Sequence, residues 1–366
     1  MDRGARAARL NRRGSTPAAG AITRPGVTAP LRLRLDRHAL ADNWRALDRV
    51  SGTAACGAAI KADGYGLGAT EVAGQLAAAG CRDFFVATWA EAARLAPLGL
   101  PLSVLHGVRA EDMPLARQGI ARPVLNSETQ VARWRAAGGG ACDVMVDTGI
   151  NRLGVSAAAV RDGLLDGLAI ETLISHLACA DEDSAMNDRQ RAVFAALAGV
   201  TGARRMSLAN SAGIALGAGY AFDLTRPGIA LYGGIVRPEF AGTIRQVATP
   251  EAQVLQRRTV PAGETVGYNA TWTAPRTTEV AILNLGYADG YVRAFSDRGR
   301  AGGGALPVIG RVSMDLMALD VTAAPDLAEG DWVTLDFALP DAAAWSGMSQ
   351  YELLTLLGQR FGRITA

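Results

Sequence analysis

The run Ala54-Ala55-Cys56-Gly57-Ala58-Ala59-Ile60-Lys61-Ala62-Asp63-Gly64-Tyr65-Gly66-Leu67-Gly68 passes from an unbroken apolar stretch to a cation, then to glycine at alternate positions. An apolar run with no polar alternation suits a strand buried on both faces, the situation in a parallel sheet covered by helices. The glycines make a turn whose backbone can approach a ligand closely, and Thr70 to Ala79 then reads as a helix. Lys61 therefore falls where a strand gives way to its loop. In a barrel of alternating strands and helices, that carboxyl end of the strand is where catalytic groups gather.

Outward from this strand the same alternation runs from about residue 37 to 235. A helix at His38 to Val50 precedes it, and a strand at Asp83 to Thr88 and a helix at Trp89 to Pro97 follow. Further strand-like runs stand at Pro101 to His106, Pro123 to Asn126, Asp143 to Asp147, Glu171 to His176 and Arg205 to Leu208. The pattern favours an α/β fold with the parallel sheet closed as a (β/α)8 barrel. A doubly wound open sheet is the competitor, but no G-x-G-x-x-G with a ribose-binding acid follows the first strand. After about residue 240 come β-prone runs broken by turns: Gln253 to Val260, Thr278 to Leu285, Leu306 to Val312 and Trp332 to Phe337, with a helix-like stretch at Gln350 to Phe361. The expected organisation is a disordered basic tail over residues 1–30, a barrel over 31–240 and a mostly β domain over 241–366.

With 366 residues, 49% of them hydrophobic and 20% charged, the chain can bury a sizeable core without staples. The net charge of +2 is near balance, and six arginines before residue 31 face only Asp2. Nucleic-acid binding is therefore not expected, and neither is a membrane span, since no run of about 18 apolar residues occurs. Cys56, Cys81, Cys142 and Cys179 form no metal-type pair, so no metal is expected and a reducing, cytoplasmic setting is.

Of 37 basic residues only Lys61 is a lysine. A guanidinium stays charged and attacks no carbonyl, whereas an amine can lose its proton and bond to an aldehyde carbon. A compositional bias toward Arg would also leave one lysine by chance, so the neighbourhood must decide. A site for pyridoxal 5′-phosphate (PLP) needs an amine, anion donors, a partner for the pyridine nitrogen and a base facing the α-carbon. Asn210-Ser211-Ala212-Gly213 follows a strand and opens a helix, a place suited to a phosphate, although a plain N-cap would look the same. Arg226-Pro227-Gly228-Ile229 offers a cation beside a close-approach glycine, although Pro-Gly is commonly just a turn.

Nine ordered motifs resemble the alanine racemase family over roughly residues 31 to 366. They begin with Ile60-Lys61-Ala62-Asp63-Gly64-Tyr65-Gly66, Asp147-Thr148-Gly149-Ile150-Asn151-Arg152-Leu153-Gly154, Ser175-His176-Leu177-Ala178-Cys179-Ala180-Asp181 and Ala209-Asn210-Ser211-Ala212. Arg226-Pro227-Gly228-Ile229-Ala230-Leu231-Tyr232-Gly233 and Gly267-Tyr268-Asn269-Ala270-Thr271-Trp272-Thr273 continue the series. Gly286-Tyr287-Ala288-Asp289-Gly290-Tyr291, Gly310-Arg311-Val312-Ser313-Met314-Asp315 and Tyr351-Glu352-Leu353-Leu354-Thr355 complete it.

The resemblance implies a PLP-bearing barrel, a β domain and a homodimer whose active sites borrow residues from the partner's β domain. Lys61 would bond to the cofactor. Tyr65, Asn210, Ser211, Gly228, Ile229 and Tyr351 would surround its phosphate, and Arg226 would hydrogen-bond the pyridine nitrogen. Tyr268 would be the second base, with Arg152 and His176 close to it. Met314, Asp315 and Tyr287 would face the substrate, and Asp181, Arg293 and Arg311 would line its entrance.

The implied reaction is the racemisation of a small amino acid, most simply L-alanine to D-alanine. Removing the α-proton from one face and returning it on the other requires two bases on opposite faces, the roles of Lys61 and Tyr268. Amines and phenols have unperturbed pKa values of about 10, so nearby positive charge must favour their deprotonated forms, and Arg152 is the candidate beside Tyr268. Racemisation of serine or of a broader set stays open, as does a non-catalytic PLP-binding role. A PLP decarboxylase would prefer an acid to Arg226 at the ring nitrogen.

Two positions depart from the family pattern. Many members carry a carbamylated lysine seven residues before the equivalent of Arg152, where this chain has Met145. Ser207 stands where a histidine partner of the pyridine-binding arginine is often found. With no second lysine, Arg152 must be held by something else, with a bound chloride or plain packing as the options, or sit less firmly.

Overall fold

The computed structural model describes residues 29–365, so the expected disordered tail lies, up to residue 28, outside the described residues. These residues divide into two compact units: His38–Arg245, and residues 29–37 together with 246–365.

In the first unit, parallel pairing runs in chain order through Ala58–Ala59, Phe84–Val86, Leu102–Val104, Arg122–Leu125, Cys142–Asp147, Ile170–Ile174 and Arg205–Ser207. The Ala54–Ile60 run joins both ends of this order. Ala58 and Ile60 donate their N–H groups to the carbonyls of Asp83 and Phe85 (2.8 and 2.8 Å), while Ala55, Gly57 and Ala59 donate to those of Asp223, Thr225 and Pro227 (3.0, 2.9 and 2.8 Å). Alternate amides of one strand thus serve neighbours on opposite sides. The remaining strand, Leu224–Thr225, reaches the seventh through Asp223 N–H to Met206 O and Arg226 N–H to Ala209 O (3.0 and 2.9 Å). The barrel is closed, as the alternation predicts. Its strands bury Ile60, Val86, Val104, Val124, Val144 and Leu173 completely, which is why they read as apolar runs.

The second unit is an antiparallel-rich sheet around the long strand Ala248–Val260, which pairs with Leu31–Leu35, Thr278–Leu283 and Trp332–Thr334. Met317–Asp320 and Leu306–Ile309 extend it on one side, and Gly362–Thr365 extends it on the other by lying parallel to Leu31–Leu35. The alternation Leu31-Arg32-Leu33-Arg34-Leu35 turns three leucines inward, at 2%, 0% and 5% exposure, and the arginines outward, with Arg32 stacked over Trp332.

Three expectations are corrected here. Leu31–Leu35 belongs to the β unit and not to the barrel domain, because it pairs antiparallel with Ala248–Val260 and parallel with Gly362–Thr365, both of that unit. The units meet in sequence at residues 37/38 and 245/246, not at 30/31 and 240/241. The helix-like stretch expected at Gln350 to Phe361 is also shorter: the helix Gln350–Thr355 stops early and the strand Gly362–Thr365 follows.

Candidate active site

The barrel unit gathers its candidate residues at the carboxyl ends of strands. Lys61 follows the first strand, Arg152 the fifth, His176 the sixth, Asn210 and Ser211 the seventh, and Arg226, Gly228 and Ile229 the eighth.

Lys61 opens an unusual turn. Ala62, Asp63, Gly64, Tyr65 and Gly66 all have positive φ (53°, 55°, 64°, 56° and 86°), a left-handed turn rather than a loop merely loosened by glycine. Each non-glycine residue there costs on the order of 1–2 kcal/mol. The turn is held by Gly64 N–H to Ile60 O and Gly66 N–H to Ala62 O (2.9 and 2.8 Å), by Ala69 N–H to Asp63 Oδ1 (3.0 Å) and by Ala62 N–H to Glu91 Oε1 (2.8 Å). Among the described residues no carboxylate pairs with the Lys61 amine. Burial lowers its proton affinity, Arg152 and Arg226 lower it further, and Glu91 opposes them.

Arg226 is a buried cation whose guanidinium has hydroxyl and carbonyl partners instead of an acid. It donates to Ser207 Oγ, to Ser175 O (2.6 Å) and to Leu208 O (3.5 Å). Burial brings its pKa down to about 10, which leaves it charged at neutral pH. Ser207, at the position where the family pattern has a histidine, thus does contact this arginine, and its hydroxyl donates a hydrogen bond to Leu224 O.

Ser211 Oγ accepts from Gly228 N–H and Ala230 N–H (2.9 and 3.2 Å), and Asn210 caps the short helix Ser211–Ala215 through Gly213 N–H (2.8 Å). Gly228 is required by a close approach: a Cβ there would land on the Tyr65 hydroxyl. Tyr65 itself is stacked on Tyr232, whose hydroxyl donates to Ala59 O (2.8 Å). The hydroxyls of Tyr65 and Ser211, with the Gly228 and Ala230 amides that Ser211 Oγ receives, make a polar lining without a carboxylate, compatible with a phosphate dianion. Beside them lie an amine of lowered proton affinity and a buried guanidinium, so the residues present fit PLP.

Asp147 Oδ1 accepts from Gly149 N–H and Asn151 N–H (2.8 and 3.1 Å) and so shapes the loop that presents Arg152, which is exposed. Behind the loop, buried Gln190 donates to His176 O and Thr148 Oγ1 (2.9 and 3.2 Å) and accepts from Ala178 N–H (2.8 Å). Burial, then Arg226, Arg152 and Lys61, push His176 down to about 3, so its ring is neutral. Met145 is buried in the fifth strand, and no ion pair holds Arg152 among the described residues.

The other five candidates, Tyr268, Tyr287, Met314, Asp315 and Tyr351, lie in the β unit, where local bonds draw them together. Arg311 Nη1 donates to Asn269 Oδ1 (3.2 Å), joining the turn Tyr268–Ala270 to the loop that carries Met314 and Asp315. Tyr287 N–H and Ala288 N–H donate to the carbonyls of Ser313 and Met314 (3.0 and 3.0 Å), an approach so close that a Cβ on Gly286 would strike Met314 O. Arg360 bridges Asp289 and Asp315 (2.6 and 2.7 Å), and Gly358 N–H to Asp289 O (3.0 Å) brings in the end of the helix bearing Tyr351. Tyr268, Met314 and Tyr351 are 68%, 54% and 42% exposed.

Sequence reading missed Glu91 and Gln190. The spacing Thr88-Trp89-Ala90-Glu91 is a visible capping box, and Thr88 Oγ1 does accept from Glu91 N–H (3.2 Å), but the spacing does not reveal the reach to Ala62. Gln190 gave no signal beyond being a polar residue on a helix.

Two family models match the chain: "Alanine racemase, N-terminal domain" over residues 35–236 and "Alanine racemase, C-terminal domain" over 247–365. The chain is 43% identical to the alanine racemase of Acidiphilium cryptum, over 91% of this chain and 98% of that protein. It is 41% identical to the biosynthetic alanine racemase of Agrobacterium fabrum, over 92% and 93%. Among solved structures it is similar to the alanine racemase of Bartonella henselae with covalently bound pyridoxal phosphate (TM-score 0.85, 32% identity, 93% of this chain and 100% of that one). It is also similar to the biosynthetic alanine racemase of Pseudomonas aeruginosa (TM-score 0.84, 32% identity, the same coverage).

Proposed function

The chain belongs to the alanine racemase family, and from that premise we propose that it interconverts L- and D-alanine with PLP bonded to Lys61. The observation that carries the reading is the setting of Lys61, the chain's one side-chain amine. It stands at a barrel strand end with its ammonium form disfavoured, beside a hydroxyl-amide cradle and a buried guanidinium.

Tyr65, Ser211, Gly228 and Ile229, with Asn210 holding the helix start, would receive the phosphate, and Arg226 would hold the ring nitrogen. Bound there, PLP supplies an aldehyde carbon and an electron-withdrawing ring that make the α-proton of an attached amino acid removable. Lys61 Nζ takes or gives that proton on one face, which needs an uncharged amine, and burial with two guanidinium neighbours favours that form. Arg226 stays protonated at neutral pH and would hydrogen-bond the ring nitrogen without giving up its proton, which would limit how far the ring draws charge from the α-carbon. That restraint favours return of the proton over loss of carbon dioxide. His176 stays neutral and adds no charge beside the reacting atoms.

On the opposite face we assign the second base to Tyr268 of a second copy of the chain. The exposed Tyr268, Met314 and Tyr351, together with exposed Leu316 and Leu356 (41% and 45%), support a surface that associates with another copy. Met314, Asp315 and Tyr287 would then face the substrate beside Arg152, and the phosphate would gain Tyr351. Three cysteines whose thiols burial pushes up to about 12, with no helix long and apolar enough to cross a membrane among the described residues, support a cytoplasmic setting.

The test is borohydride reduction of the PLP-loaded protein, peptide mapping, and loss of optical rotation with L-alanine and L-serine. A pyridoxyl group on the Lys61 peptide and faster loss with alanine are expected. An unlabelled Lys61 peptide overturns the reading. Persisting rotation with release of carbon dioxide makes the protein a decarboxylase, and faster loss with serine moves the substrate.

A further inference from the structure

Glu91 stands at the start of the helix Trp89–Leu95, after the second barrel strand, and both of its carboxylate oxygens are committed to backbone. Oε2 accepts from Ala87 N–H and Thr88 N–H (2.6 and 3.1 Å). Oε1 reaches the neighbouring connection and accepts from Ala62 N–H (2.8 Å), the amide immediately after Lys61. Ala62 is also the first residue of the left-handed turn (φ 53°, ψ 48°), a conformation that costs a residue with a Cβ about 1–2 kcal/mol and so gains from a partner for its amide. A capping box needs only the bond back to its own helix start, so the bond to Ala62 is additional to what the helix requires.

We propose that Glu91 is a positioning residue for Lys61: it clamps Ala62 N–H, fixes the left-handed turn and so sets where the amine stands and what charge it faces. The inference rests on the reading of Lys61 as the cofactor-bearing amine. The charged groups that face this amine come from three further connections: Glu91 after the second strand, Arg152 after the fifth and Arg226 after the eighth, with His176 neutral after the sixth. Glu91 is the only acid among them. It forms no ion pair with Lys61 among the described residues, so it acts through the backbone and through its field, leaving the amine free to react.

Because the chain has one lysine, labelling of side-chain amines reports on this position alone. The full chain, freed of PLP, is treated with trinitrobenzenesulfonate across a pH series, and the rate is read on the Lys61 peptide. The loaded enzyme is assayed for kcat and KM with alanine. The variants are Glu91→Ala, Glu91→Gln and, as a control for helix capping alone, Thr88→Ala. Thr88→Ala is expected to lower the unfolding temperature while leaving the labelling midpoint and kcat at wild-type values. Both Glu91 variants are expected to move the labelling midpoint down by about half a pH unit and to lower kcat roughly tenfold with KM changed less than about twofold. Glu91→Gln should be the milder, because it keeps an oxygen for Ala62 N–H. Wild-type midpoints in both Glu91 variants, or an equal midpoint shift in Thr88→Ala, would overturn the proposal. Failure of the wild-type protein to racemise alanine instead strikes the functional reading, and the labelling midpoint does not depend on that outcome.

Discussion

Burial and neighbouring guanidinium groups act on Lys61 and His176 in the same direction, because both are bases whose protonated form brings a third positive charge beside Arg152 and Arg226. For His176 the effect can be followed directly. Its pKa falls from 6.5 to about 3 on folding, so the unfolded chain binds a proton that the native protein does not. The associated stability is fully present above about pH 6.5 and is lost as pH falls toward 3. The His176 imidazole should therefore show no titration between pH 5 and 9 by NMR, and a midpoint near 6 would refute its burial beside the two cations. Ser207 gives a second test at this scale. Ser207→Ala leaves one guanidinium nitrogen of buried Arg226 without its hydroxyl acceptor, which should cost about 1–3 kcal/mol in a urea titration of the cofactor-free protein. An unchanged midpoint would mean that Arg226 finds another acceptor.

Elements in this protein are tied to one another by a few close approaches, and these are the sensitive places. The connection after the eighth strand comes so near the left-handed turn that Gly228 leaves room only for the Tyr65 hydroxyl. Gly228→Ala should displace that hydroxyl, weakening PLP at least roughly tenfold in an absorbance titration while changing the unfolding temperature little. Wild-type affinity would show that the Tyr65 hydroxyl is dispensable to the cradle. The strands themselves were legible because buried parallel strands are rich in apolar residues, as in Cys142–Asp147 and Ile170–Ile174, where only Asp143, Asp147, Glu171 and Thr172 interrupt the run. The eighth strand, Leu224–Thr225, is only two residues long and has no pattern of its own. It is a strand because the first and seventh strands lie on either side of it.

Across the whole molecule, the placement of candidate residues in two units makes the sharing of active sites testable. Mixing Lys61→Ala with Tyr268→Phe, each inactive alone, should restore roughly a quarter of wild-type activity if the sites join two copies, since half the dimers are hybrid and each hybrid has one intact site. No recovery after subunit exchange would place both bases in one chain. Burial also predicts the thiol chemistry: Cys56, Cys81 and Cys142 should resist a disulfide reagent at neutral pH in the native protein, leaving half-buried Cys179 as the one that reacts. Rapid modification of all four would mean that the native core opens readily. The sequence by itself determined the barrel, the following β unit and the lysine at a strand end. Burial period is written locally, and only one amine was available. What the tertiary structure alone decided were the relations between distant residues: Leu31–Leu35 pairing with residues 248–252, Glu91 reaching Ala62, Gln190 holding His176. A hydrogen bond across such a separation leaves no period in the chain, because each partner's local pattern is satisfied equally well by many others, and folding selects among them.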